Sequence, residues 1–96
     1  MKLFIDTGDN TKTIVGLDNI RLEKPTGPDK SQQVLVLIDQ LLKENHKQIK
    51  DITDIVVNIG PGSFTGLRVG ITVANTLAWV LKVSVNGKVA VEPHYD

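Results

Sequence analysis

The sequence predicts an α/β fold in which a mixed sheet carries two main helices, in the order β-β-β-α-β-α-β. Three observations support this. The first 25 residues hold short apolar runs broken by turn-forming residues. Two later stretches, 32–45 and 67–81, repeat their apolar residues at the helical period. Between them Asp54 to Ile59 is β-branched or apolar at nearly every position, as suits a central parallel strand covered on both faces. At 96 residues the chain is read as one domain, 1–96.

Lys2 to Ile5 is mostly apolar and runs into DTGDNT, which ends a first strand. Lys12 to Leu17 is a second strand and Ile20 to Glu23 a third with one wet face. Asp18-Asn19 makes the turn between them, because both residues tolerate positive φ. Three strands so connected form an antiparallel meander. KPTGP (24–28) breaks the pattern, and Asp29 or Ser31 then caps a helix over Gln32 to Asn45. Its apolar stripe is Val34, Leu37, Ile38 and Leu41, widened by Leu35, Val36 and Leu42. A stripe that wide fits either a helix packed on two sides or one buried deeply. Leu67 to Leu81 forms the second helix, with small residues Gly70, Ala74 and Ala78 that permit close approach. Lys82 to Val85 reads as a short strand, Asn86-Gly87 as a hairpin turn, and Lys88 to Val91 as a last strand.

Composition narrows the function. Eleven basic residues balance eleven acidic ones, so the basic field that a stand-alone nucleic-acid binder needs for phosphate neutralisation is missing. Contact with RNA would come through a partner. With no cysteine, disulfides, zinc–thiolate sites and Cys nucleophiles are excluded. The apolar run of MKLFID stops at Asp6, too early for a signal peptide. Arg68, Thr72, Asn75 and Thr76 interrupt the longest apolar stretch, which argues against a membrane span. A soluble cytoplasmic protein is the expectation.

The segment with most chemical content is GPGSFTGLRVG, 60–70, between an apolar strand and a helix. Unpaired first-turn amides and the positive dipole end make such a junction suited to an anion. Ser63 and Thr65 offer hydroxyls for capping or ligand contact. Two phosphate loops fail against it. Gly60, Gly62 and Gly66 place the third glycine one position late for a dinucleotide fingerprint, and no acidic residue follows near 80–86. Gly66 is followed by Leu67-Arg68 where a Walker loop needs Lys and then Ser or Thr. Without its surroundings the glycine string supports no more than a tight turn onto a closely packed helix.

GPGSFTGLRVG followed by ITVANTLAW resembles the signature of the bacterial TsaB (YeaZ) family. FIDTG and SQQVLVLIDQLL are similar to that family's first strand and first helix, and the likeness covers about residues 1–85. The resemblance implies a single half-domain of the actin/Hsp70-like (ASKHA, ribonuclease H-like) class. It also implies a non-catalytic accessory subunit in threonylcarbamoyl modification of tRNA adenosine. The implied partners are a TsaD-like catalytic subunit and a TsaE-like ATPase, with a homodimer when alone and tRNA reached only through the complex. No cofactor is expected to be held firmly by this chain, while ATP and Mg belong to the complex. The expected partner interface is Val34, Ile38 and Leu41 of the first helix with Arg68, Ile71, Ala74, Asn75 and Ala78 of the second. The sequence departs from the family at Lys30, often His, at Ile59, often Arg, and at Val85 to Lys88, where a GVSTL-like strand end is usual. The family usually carries two half-domains, and the tail VAVEPHYD favours a naturally short form over a fragment.

The rival reading is an ATP- or phosphate-binding half-domain with its own phosphohydrolase or transferase activity. Its candidate residues are Asp6, Thr7 and Gly8 at the end of strand one with Gly60, Gly62 and Ser63 of the loop. Asp6 and Thr7 either hold a metal–phosphate group, as the superfamily resemblance implies, or make a turn through side-chain to backbone bonds. A small structural domain using the loop only for packing is the third reading. His46 and His94 lack the H-x-x-x-H spacing of a catalytic relative's metal site and are expected at a helix end and in the tail. Arg68 is read as pairing with a carboxylate of a partner or of this chain, and Trp79 as core or interface.

Overall fold

In the computed structural model, which describes residues 1–93, five strands form one sheet in the order β3-β2-β1-β4-β5. The strands are β1 (Lys2–Asp6), β2 (Lys12–Leu17), β3 (Ile20–Pro25), β4 (Asp54–Val57) and β5 (Ser84–Val85). The expected meander is present: β1 pairs antiparallel with β2, and β2 with β3. β1 also pairs parallel with β4, and β4 parallel with β5, so the sheet is mixed. His94 and the rest of the tail lie outside the described residues.

Strand register decides the core. Leu3 pairs with both Leu17 and Ile55, Ile5 with both Val15 and Val57, and Ile55 with Val85. Because side chains alternate along a strand, these seven residues share one face, and all are buried. Helices α1 (Lys30–Glu44) and α2 (Phe64–Leu81) cover that face. They contribute Val34, Leu37, Ile38, Leu41 and Leu42 from α1, and Leu67, Ile71, Val73, Ala74 and Ala78 from α2. The opposite face carries half-buried Phe4 and Val56. There the Arg21 guanidinium lies 3.7 Å over the Phe4 ring, a cation–π contact. The expectation that β4 would be covered on both faces is therefore not met within this chain. Its β-branched run reflects strand propensity as much as burial.

Element ends differ from expectation for local reasons. β3 continues to Pro25, opposite Lys12; as an edge strand it tolerates a residue without an N–H. β4 stops at Val57, because the Asn86 side chain takes both Val57 backbone groups, N–H to Oδ1 at 2.9 Å and Nδ2 to C=O at 3.0 Å. α1 starts at Lys30, with the Asp29 carboxylate accepting from Gln32 N–H at 3.0 Å. α2 starts three residues early, since Ser63 Oγ accepts from Gly66 N–H at 3.3 Å and so moves the cap into the glycine loop. Lys82 closes α2 in the left-handed region at φ 58° and cannot join β5. Asn86-Gly87, with φ 51° and 75°, form the expected tight turn. Beyond it the expected last strand reduces to one bridge, Val85 to Lys88.

By length and composition α2 could cross a membrane, with a mean hydropathy of 1.3 over its 18 residues. Here Leu67, Ile71, Ala74 and Ala78 bury its apolar stripe in the core, which is why a core helix passes the same test.

Candidate functional site

The end of β1, the glycine loop and the start of α2 meet at Thr7. Its side chain is buried on the helix-covered face. The hydroxyl donates to Gly66 C=O at 2.5 Å and accepts from Gly70 N–H at 2.9 Å. One side-chain oxygen thus bridges two backbone groups four residues apart on α2 and fastens the strand to the helix. Only residues without Cβ allow this approach. A Cβ on Gly66 would lie 2.5 Å from Thr7 O, and one on Gly70 would lie 2.6 Å from Thr7 Oγ1.

The neighbouring polar groups are engaged in the same way. Asp6 Oδ1 accepts from Gly8 N–H at 2.9 Å and from Asn58 Nδ2 at 3.0 Å. Asn58 Oδ1 in turn accepts from Gly60 N–H at 3.0 Å. Gly8 C=O accepts from Ser63 N–H at 2.9 Å, and a Cβ on Gly62 would meet Gly8 Cα at 2.9 Å. Lys30 reaches back from α1 to donate to the carbonyls of Thr7 at 3.2 Å and Asp9 at 3.4 Å. The Thr11 hydroxyl, followed by the Thr11 N–H, holds the Asp9 carboxyl below its ordinary range. The structure therefore brings together all six candidate phosphate residues, Asp6, Thr7, Gly8, Gly60, Gly62 and Ser63. It does so in a lattice of internal bonds and backbone contacts. Thr7 has no exposed surface for a ligand, and the Ser63 hydroxyl caps α2.

The eight candidate interface residues fall differently from expectation. Val34, Ile38, Leu41, Ile71, Ala74 and Ala78 are buried in the chain's own core. The same periodicity marks a sheet-facing stripe and a partner-facing one, and here the sheet holds it. Asn75 is also turned inward: its amide donates to Val91 C=O at 2.8 Å and accepts from Val91 N–H at 3.0 Å. Arg68 is exposed, with its guanidinium 5.6 Å from the Phe64 ring. The apolar residues left outside are others. Leu35 and Val36 of α1 are 52% and 55% exposed. Leu35 lines a groove of about 330 Å³ with Leu42, Ile49 and Leu77, between α1, a short 3-10 turn (Ile49–Asp51) and α2. Trp79 and Val80 stand exposed at the far end of α2. Leu35, Val36 and Leu42 were legible as the excess width of the first helix stripe. Asn58, Asn86 and Lys30 carried no spacing signal, because their partners lie on other elements.

Comparison with known proteins adds four findings. Residues 26–91 match the family model described as TsaD, tRNA N6-adenosine threonylcarbamoyltransferase. The tRNA threonylcarbamoyladenosine biosynthesis protein TsaB of Bacillus subtilis (strain 168) is 36% identical over 94 residues, which cover 94% of this chain and 41% of that protein. A tRNA N6-adenosine threonylcarbamoyltransferase of Persephonella marina is 38% identical over 52 residues, 54% of this chain and 15% of that one. Among solved structures, YeaZ from Pseudomonas aeruginosa superposes with a TM-score of 0.74 at 26% identity, over 88% of this chain and 41% of that one. The chain thus spans 41% of the length of the TsaB and YeaZ proteins it matches.

Proposed function

This chain belongs to the TsaB/YeaZ family, and from that premise we propose that it is a non-catalytic docking subunit for formation of tRNA N6-threonylcarbamoyladenosine. Its proposed partner is a TsaD-like catalytic subunit, met through the outer side of α1 and α2. A second copy of the chain takes that place when the partner is absent, a TsaE-like ATPase joins the assembly with its ATP and Mg, and tRNA is reached only through the complex. The cytoplasm is the proposed compartment.

The observation that carries this reading is the exposed apolar surface on helices whose buried stripes are already complete. Leu35, in the groove it shares with Leu42, Ile49 and Leu77, and its neighbour Val36 stay half-exposed, although α1 already has five buried residues. Leaving such residues in water forgoes about 25 cal/mol per Å² of burial, which a docked partner recovers. The loop supports the same reading from the other side, since Thr7, Asp6 and Ser63 are held by bonds inside the chain.

The test is co-elution with a TsaD-like subunit on size exclusion. The Leu35→Asp/Val36→Asp double variant is expected to keep its fold, because both side chains are exposed, and to lose the complex. Unchanged co-elution sinks the proposal.

A further inference from the structure

A second apolar surface, sharing no lining residue with the α1–α2 groove, lies around the C-terminal turn of α2. The last turn of α2 and the Asn86-Gly87 hairpin enclose a groove of about 860 Å³. Its apolar walls are Trp79, Val80, Val83 and Val89, and its charges are Lys82 and Lys88. Trp79 is 79% and Val89 88% exposed. Scattered single apolar residues on a surface need no explanation, but a contiguous set around a concavity does. No Asp or Glu lines the groove, and neither lysine joins an ion pair among the described residues.

The groove is held in shape. Lys82 N–H and Val83 N–H both donate to Ala78 C=O. Lys88 and Val85 exchange two backbone bonds, at 2.8 and 2.9 Å. Those bonds also close the outer edge of β5, so an added strand finds no free ladder there. An occupant must therefore bind through side chains, as an amphipathic helix does when it lays anchors in a groove.

We propose that this groove docks an acidic amphipathic helix of a partner protein. Its apolar side chains enter between Trp79, Val80 and Val89, and its carboxylates meet Lys82 and Lys88. Charge complementarity selects the occupant: two ammonium groups in a groove whose lining holds no carboxylate, and neither ion-paired among the described residues, favour an acidic segment and repel a basic one. The aliphatic walls favour a protein over RNA, since two lysines on a chain with no net charge make too weak a field for phosphates.

Trp79 is the only tryptophan in the chain, so its fluorescence reports on this groove alone. The probes are a short helical peptide with Leu at i and i+4 flanked by Glu, its Lys-for-Glu counterpart, and a uridine-rich RNA oligonucleotide. The Glu peptide is expected to give a saturable blue shift. Lys82→Glu/Lys88→Glu should weaken it roughly tenfold or more, while Leu35→Asp leaves it unchanged. Both lysines are exposed, and an unchanged circular dichroism melt confirms that the double variant is folded. No shift with the Glu peptide, or an equal response to the Lys peptide, overturns the proposal. So does a response confined to RNA. Self-association of the chain that the double variant abolishes would also overturn it, by making a second copy the occupant.

Discussion

The two ends of helix α2 are built in opposite ways. At its N-terminal end three of the singled-out polar side chains are tied up inside the chain: Thr7 bridges Gly66 and Gly70, Asp6 holds Gly8 and Asn58, and Ser63 caps the helix. At its C-terminal end Trp79, Val80 and the lysines around them turn outward, and a lysine occupies the left-handed cap position where glycine is usual. One end is a brace that fixes the helix on the sheet. The other, together with the outer side of α1, offers surface. The glycine-rich segment that dominates the sequence is thus the inward-facing part, and the exposed surface carries no motif.

Substitutions that break the brace should cost most. Gly66→Val places a Cβ 2.5 Å from Thr7 O, an approach that neither backbone can relieve. The variant is expected to lose about 3 kcal/mol or more in denaturant unfolding, or to be insoluble. A loss under about 1 kcal/mol would show that α2 slides freely on β1 and that the bridge is incidental.

Thr7→Val keeps the volume and removes the bridge. Gly66 C=O and Gly70 N–H lose their buried partner, and the expected cost is about 2–3 kcal/mol in the same measurement. Asn75→Ala sharpens the contrast at the next level. It releases the Val91 segment, at about 1–2 kcal/mol, with loss of exchange protection at Val91 N–H and none at Gly70.

The smallest effect is one of pH. The Gln32 N–H, followed by the Ser31 hydroxyl, holds the Asp29 carboxyl below its ordinary value of 3.8. A lowered folded-state value means that the cap stabilises α1 at any pH above 3.8. That contribution fades as pH falls through the lowered value. Amides of the first turn of α1 are expected to lose protection in that acid range, and Asp29→Asn should flatten the dependence. A wild-type profile that is already flat would remove Asp29 from the account.

The architecture was legible because it rests on periodicity. A short apolar run ended by turn residues fixed β1, alternation fixed β2 and β3, the 3.6-residue period fixed both helices, and Asn86-Gly87 announced its turn. What misled was periodicity with two explanations. Ile38 and Ala74 were expected at a partner, yet the sheet buries both, so Ala74→Arg or Ile38→Asp would unfold the chain before testing any interface. The small residues Gly70, Ala74 and Ala78 suggested close approach by another helix, whereas Gly70 meets a strand-end hydroxyl. Contacts such as Asn75 with Val91 and Asn86 with Val57 depend on where the fold brings distant segments, and short-range patterns do not encode that.

The central claim is that the glycine loop is a structural brace and that the chain acts through its exposed helix surfaces. Calorimetric titration of the wild-type chain with Mg-ATP tests it most directly. The account predicts no saturable heat. Saturable binding that Asp6→Asn abolishes in a folded variant would contradict it and return the loop to phosphate chemistry.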